Sequence, residues 1–217
     1  MHQPNWTQSF SISSWNINGW SSRTRALKTS ILELVNSDIF VLSETHLSGI
    51  DSIGITNYKT YLHSRNLRNR NSRRTFGGLA ILFKCDFLNN FDFEEIDKSV
   101  DGIYIVKLTE KTTRYSIILI ACYLPPERSP WGRDACSFFS YIINFIHIHS
   151  CSSDAIYLCG DLNSRLGAKQ DYIKGIDMIE DRQVIDKCSN KHGESFHEFL
   201  IDSKMCVVNG RINSGTK

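Results

Sequence analysis

The sequence predicts an α/β (α+β) protein in which helices cover β-sheets. Three observations carry this expectation. Short apolar runs of strand type outnumber helical stretches, the helical stretches are amphipathic, and several of the strand-like runs end abruptly on a polar side chain.

Taken in order, Phe10 to Ile17 alternates like a strand and ends in the polar turn "WNINGW". "SSRTRALKTSILELVNS" follows, with Leu27, Ile31, Leu34 and Val35 at helical spacing on what reads as the buried face. "DIFVLSE" is a continuous apolar run closed by Glu44. Residues 64–76 are polar, rich in arginine and without periodicity, which reads as a loop. "GGLAILFK" and "GIYIVKL" read as strands with "NNFDFEEIDKSVD" between them. "YSIILIACYLPP" is a long buried strand stopped by Pro125 and Pro126. From Arg133 to His149 a helix presents Phe138, Phe139, Ile142, Ile143 and Ile146. "DAIYLCGDLN" is a further strand running into a loop, "GESFHEFLIDSKM" a second amphipathic helix, and "CVVNG" the start of one more strand. No linker, repeat or low-complexity tract interrupts the chain, so residues 1–217 are expected to form one domain.

Bulk properties narrow the function classes. A chain of 217 residues with 41% hydrophobic and 22% charged residues has the makeup of a globular protein and not of a disordered one. A net charge of +2 gives no strong whole-molecule attraction to nucleic acid, so such a partner would have to be met by local clusters. Seven cysteines, an odd number with no CxxC pair, point to a reducing intracellular compartment and to cysteine acting as a small apolar core residue. "MHQPNWTQSF" lacks the charged and apolar regions of a signal peptide, and no apolar run approaches the ~18 residues of a membrane span, so no membrane partner is expected.

The strand ends hold the candidate chemistry. "SWNIN" delivers Asn16 and Asn18, "FVLSE" Glu44, "ACYLP" Tyr123 and "LCGDLN" Asp161 and Asn163. A strand fixes its last residue while the loop beyond stays open to solvent, and sites need both. Glu44 and Asp161 are hard oxygen ligands, with Asn16 and Asn18 as neutral ones, a set that suits Mg²⁺ with its retained waters. Asp161 is placed to polarise a water, and strand alternation puts Asn163 on the same face to orient that water or a phosphate oxygen. Tyr123 offers a phenol to developing negative charge. This equipment suits metal-assisted hydrolysis of a phosphate ester. Each residue also has a plainer reading: Asp161 and Asn163 in a turn, Glu44 as a solvated strand end, Asn16 and Asn18 shaping a type I′ turn with Gly19, Tyr123 in the core. His46 reads as an exposed loop residue. Arg65, Arg68, Arg70, Arg73 and Arg74 crowd one loop, either as a solvated segment or as contacts to DNA phosphates.

"SWNING", "LSETHL", "GGLAILFK", "CYLPP" and "CGDLNSRLG" resemble, in order and spacing, the endonuclease/exonuclease/phosphatase superfamily. The tail "HGESFHEFLIDSKMCVVNGR" is similar to the abasic-site-like endonuclease domain of non-LTR retrotransposons. The resemblance implies a four-layer sandwich of two packed mixed β-sheets with helices outside. It also implies a divalent cation, Mg²⁺ with Mn²⁺ as the alternative, and a DNA phosphodiester as substrate. Position by position it implies Glu44, Asn16 and Asp161 as metal ligands, with Ser43 standing where the family has glutamine. Asp161, Asn163, Tyr123 and Asn16 are the implied catalytic residues. The expected function is single-strand nicking by a retrotransposon-type endonuclease in the nucleus, with a reverse transcriptase domain downstream in the intact element. The family's C-terminal "SDH" motif and its last strands are missing from "VVNGRINSGTK", and His147, His149, His192 and His197 are poor substitutes. The alternative expectation is therefore an impaired remnant, or a nucleic-acid-binding module that keeps the fold without the activity. A relative acting on phospholipid or inositol phosphate fits the arginine loop and the tail less well.

Overall fold

The computed structural model describes residues 9–48, 52–64, 76–130 and 134–211. They arrange in two compact units, one of Met1–Tyr123 with Ser150–Asp161 and one of Leu124–His149 with Leu162–Lys217.

The first unit holds two mixed four-stranded sheets. β1 (Ile12–Asn16), β2 (Ile39–Ser43), β3 (Tyr58–His63) and β4 (Leu79–Lys84) form one sheet in the order β1-β2-β4-β3. β5 (Phe91–Asp97), β6 (Ile103–Glu110), β7 (Ser116–Tyr123) and β8 (Ala155–Asp161) form the other in sequential order. Two pairs are parallel. β1 runs beside β2 with Asn16 opposite Ser43, and β7 beside β8 with Tyr123 opposite Asp161. Parallel neighbours need a crossover; α1 (Arg25–Val35) makes the first and α3 (Ala135–His149) the second. A short α2 (Cys85–Asn90) leads into β5.

One core cluster takes the inward side chains of both sheets: Ile39, Val41, Leu79, Ile81 and Phe83 with Tyr104, Val106, Leu108, Leu119 and Ala121. Phe83, Phe87, Phe91, Phe93 and Tyr61 add an aromatic chain through it. A second cluster on the opposite face of the first sheet joins Phe40, Leu42, Ala80 and Leu82 to Ile17, Trp20 and Leu32. Each fully buried valine, leucine, isoleucine or phenylalanine among them contributes on the order of 1.5–3 kcal/mol. The two sheets with their flanking helices are the α/β sandwich that the sequence predicts.

In the second unit α3 packs on α4 (Lys191–Ser203) through Phe139, Phe196 and Phe199, with ring centroids 5.3–6.0 Å apart. Asn190 caps α4: its Oδ1 accepts from Gly193 N and from Arg165 N, and its Nδ2 donates to Asn163 O. Asp171 is buried and held by both guanidinium nitrogens of Arg211 and by Val207 N.

The structure corrects several sequence expectations. Leu27, Leu34 and Val35 are exposed, and α1 buries Leu32 instead. The helix is turned so that Lys28, one turn before Leu32, reaches backbone carbonyls of the loop after β1. "CVVNG" forms no strand, because Val207 N bonds the Asp171 carboxylate and Val207 O accepts from Arg211. α2, β3 and β5 are elements the apolar pattern did not single out; β3 is half-buried along its length, which dilutes its alternation. Cys122 is buried and Cys159 partly so, whereas Cys85, Cys136, Cys151, Cys188 and Cys206 are exposed, so most of the cysteines are not core. α4 starts at Lys191, two residues ahead of the predicted stretch, and so takes in His192 as well as His197.

Candidate active site at the carboxyl ends of four strands

Both parallel pairs in the first unit finish at the same level. The Asn16–Ser43 register sets Asn16 beside the last residue of β2, and Glu44 follows immediately. The Tyr123–Asp161 register does the same for the second sheet. Gly160 is what lets β8 deliver Asp161: its φ is 139°, and a Cβ there would sit 1.9 Å from Cys122 O on the neighbouring strand.

Two hydrogen bonds then cross between the sheets. Tyr123 donates its phenol to Glu44 Oε1 at 2.8 Å. Asn16 donates Nδ2 to Asp161 Oδ2 at 2.7 Å. Four of the residues singled out in the sequence are thereby brought together from strand ends as far as 145 positions apart.

The chain leaving β2 is strained. Glu44 has φ 53° and His46 φ 56°, left-handed values that cost a non-glycine residue about 1–2 kcal/mol each. Backbone bonds on two sides hold them. Gly19 N and Trp20 N donate to Glu44 O and Thr45 O at 2.6 and 2.8 Å, while Thr45 N and His46 N donate to Gly78 O and Gly77 O at 3.2 and 2.9 Å. Strain retained in this way clusters at functional positions.

His46 is the residue sequence reading missed. It is partly buried, not an exposed loop residue, and its Nε2 lies 3.8 Å from Glu44 Oε2. Phe76 packs edge-on against its ring at 5.6 Å, and Gly19 lies so close that a Cβ there would be 2.8 Å from Nδ1. Proximity of Gly19 to His46, unlike a strand end, leaves no periodic signal.

Asn18 is exposed. It forms with Gly19 the left-handed pair (φ 46° and 87°) that a type I′ turn requires, and its N–H bonds Asn16 Oδ1 at 3.1 Å. Asn16 thus both shapes the turn and grips Asp161. Asn163 departs from the alternation argument, since β8 ends at Asp161 and Asn163 takes φ 47°. Its Nδ2 donates to Leu124 O at 2.9 Å. Arg65, Arg68, Arg70, Arg73 and Arg74 lie outside the described residues. The histidines His147, His149, His192 and His197 all belong to α3 and α4 of the second unit.

Among the described residues no three His, Cys, Asp or Glu side chains form a protein-only metal cage. Glu44 and Asp161, both partly buried, still fit a Mg²⁺ ion, which binds through one or two carboxylates and keeps several waters. Asn16 supplies an oxygen to the turn and an amide hydrogen to Asp161, so its geometry orients that carboxylate.

The family model described as the endonuclease/exonuclease/phosphatase family matches residues 13–183, well over half of the chain. The chain belongs to that family. No curated protein matches it in sequence. Several solved structures share its fold. An AP endonuclease from Leishmania major superposes with a TM-score of 0.65 at 14% identity, over 88% of this chain and 65% of its own. The catalytic domain of Xenopus laevis APE2 gives 0.58 at 16% identity over 87% and 67%, respectively. A 3′ phosphatase from Neisseria, bound to product DNA hairpin, gives 0.53 at 16% over 90% and 71%. The chain therefore spans about two thirds of the length of these proteins.

Proposed function

We propose that this family member hydrolyses phosphodiesters of DNA with a divalent cation, Mg²⁺ or Mn²⁺, nicking one strand as the retrotransposon-type endonucleases do. The observation that carries the reading is the pair of cross-sheet hydrogen bonds that gathers Glu44 and Tyr123 beside Asn16 and Asp161. Two carboxylates, a phenol and an amide at one rim suit metal-assisted attack on phosphorus.

In this reading Glu44 and Asp161 hold the cation, which would polarise a phosphoryl oxygen when bound. Asp161, its Oδ2 fixed by Asn16, accepts a proton from the attacking water at Oδ1. Tyr123 keeps Glu44 in place in the resting site; once the cation takes up Glu44, the one hydroxyl hydrogen of Tyr123 is released to turn to negative charge developing on the phosphate. The water oxygen forms a new bond to phosphorus as the ester P–O bond breaks, and the leaving oxygen is protonated from solvent. Asn163 steadies the loop beyond Asp161 through Leu124 O. DNA as partner is supported by the DNA-bound Neisseria neighbour and by the five arginines between His63 and Phe76. A nuclear location and a reverse transcriptase encoded in the same element belong to the same proposal, on the strength of the motif order and the tail.

Nicking of supercoiled plasmid tests it. With Mg²⁺ the chain is expected to convert plasmid to the open circle, and EDTA to abolish the conversion. Asp161→Ala is expected to lower the rate by about 10²–10⁴-fold, the range for a lost general base, and Glu44→Ala to act similarly. DNA binding with no nicking in any divalent metal would replace this reading with that of a binding module.

A further inference from the structure

We propose that Lys28 is a positioning residue for this site: its ammonium braces the turn that joins Asn16 to Asp161 and Glu44. The inference rests on the assignment of the Glu44–Asp161 rim as the reaction centre.

Lys28 Nζ donates to Ile17 O and to Gly19 O, each at 2.5 Å. Those two carbonyls flank Asn18, so one cation clamps both ends of the left-handed Asn18–Gly19 pair. Ile17 and Gly19 are themselves buried, where a carbonyl needs a partner. Burial pushes the Lys28 pKa down, as expected of an ammonium drawn out of water to meet them. The same turn makes several further connections of the site. Asn18 N orients the Asn16 amide, Asn16 Nδ2 holds Asp161, Gly19 N holds Glu44 O, Trp20 N holds Thr45 O, and Gly19 makes room for the His46 ring.

α1 is built to deliver this lysine. Its buried side is set by Lys28 and Leu32, at the expense of leaving Leu27 and Leu34 in solvent. An apolar side chain of equal length would fill the space but leave two carbonyls unbonded, whereas an arginine fork retains donors for both.

The test compares Lys28→Met and Lys28→Arg with Leu32→Ala, which loosens the core cluster shared with Ile17 and Trp20 without removing a hydrogen-bond donor from the turn. Amide exchange at Gly19 and Trp20 and the side-chain amide resonance of Asn16 are followed by NMR. Mn²⁺ binding is followed by water proton relaxation. Lys28→Met is expected to speed exchange at Gly19 and Trp20 and to weaken Mn²⁺ binding, each roughly tenfold, the equivalent of one lost charge-assisted bond. It should also shift the Asn16 resonance. Lys28→Arg should restore part of each effect, and Leu32→Ala should lower the melting temperature while leaving all three near parent values. Should Lys28→Met not fold, Lys28→Gln serves in the same comparison. The proposal is overturned if the Lys28 variants move exchange and the Asn16 resonance no more than Leu32→Ala does. A parent chain that binds no Mn²⁺ would instead sink the metal-dependent reading, with the exchange and Asn16 signals still deciding the role of Lys28.

Discussion

At the scale of single residues, the site depends on side chains that hold one another before any substrate arrives. Tyr123→Phe removes the hydroxyl that bonds Glu44 and leaves the buried ring in place. We expect ~10²-fold slower nicking with little change in folding, as for other lost transition-state donors, measured as initial rates beside denaturant midpoints. Gly19→Ala should be costly in another way. Its φ of 87° and the His46 ring 2.8 Å from the new Cβ both oppose a side chain. A loss of about 1–2 kcal/mol is expected from the backbone alone, together with displacement of His46 from Phe76, visible as loss of their ring-to-ring NOEs. A wild-type-like spectrum for this variant would contradict the packing described here.

At the scale of elements, the ends matter more than the middles. Asn190 closes the first turn of α4 and ties it to Arg165 and Asn163, so Asn190→Ala should cost about 1–2 kcal/mol, read by urea denaturation. α4 also approaches Arg165 so closely that a Cβ on Gly193 would meet its carbonyl at 1.9 Å. Gly193→Ala should therefore displace the helix and cost more than the cap. The buried Asp171–Arg211 pair closes the same unit. Burial pushes the Asp171 carboxyl up, but the Arg211 guanidinium and Val207 N outweigh it and hold the carboxyl below its usual range. Its contribution is thus complete above about pH 4, the value in an unfolded chain, and is lost as pH falls through the lower folded value. Thermal melts between pH 6 and pH 2.5 should show that loss in the parent and a flatter profile in Asp171→Asn. Removing one partner of a buried pair typically costs ~3–5 kcal/mol, which is the expectation for Arg211→Ala at neutral pH.

At the scale of the whole molecule, the site unites residues that two different sheets supply. A cation held by Glu44 and Asp161 would bind the folded chain and not the unfolded one. Mg²⁺ or Mn²⁺ at a hundred times its dissociation constant should therefore stabilise the fold by about 2.7 kcal/mol. Differential scanning fluorimetry should register the shift in the parent and its absence in Glu44→Ala. An equal shift in both proteins would place the cation elsewhere.

The sequence by itself determined the strands that end on or just before Asn16, Glu44, Tyr123 and Asp161, because an alternating or continuous apolar run stopped by a polar residue is a local pattern. It also determined α3, whose predicted apolar face is largely the one buried. It misread α1, where the deciding event is the reach of Lys28 to the carbonyls of Ile17 and Gly19. It missed His46, whose place is set by Gly19 and Phe76, and the exposure of most cysteines, which follows from where each element faces. Only the tertiary structure decided that Asn16 meets Asp161 and Tyr123 meets Glu44. Hydrophobic periodicity records which face of an element is buried; the partner of a polar side chain is fixed by sheet pairing and packing between segments distant along the chain.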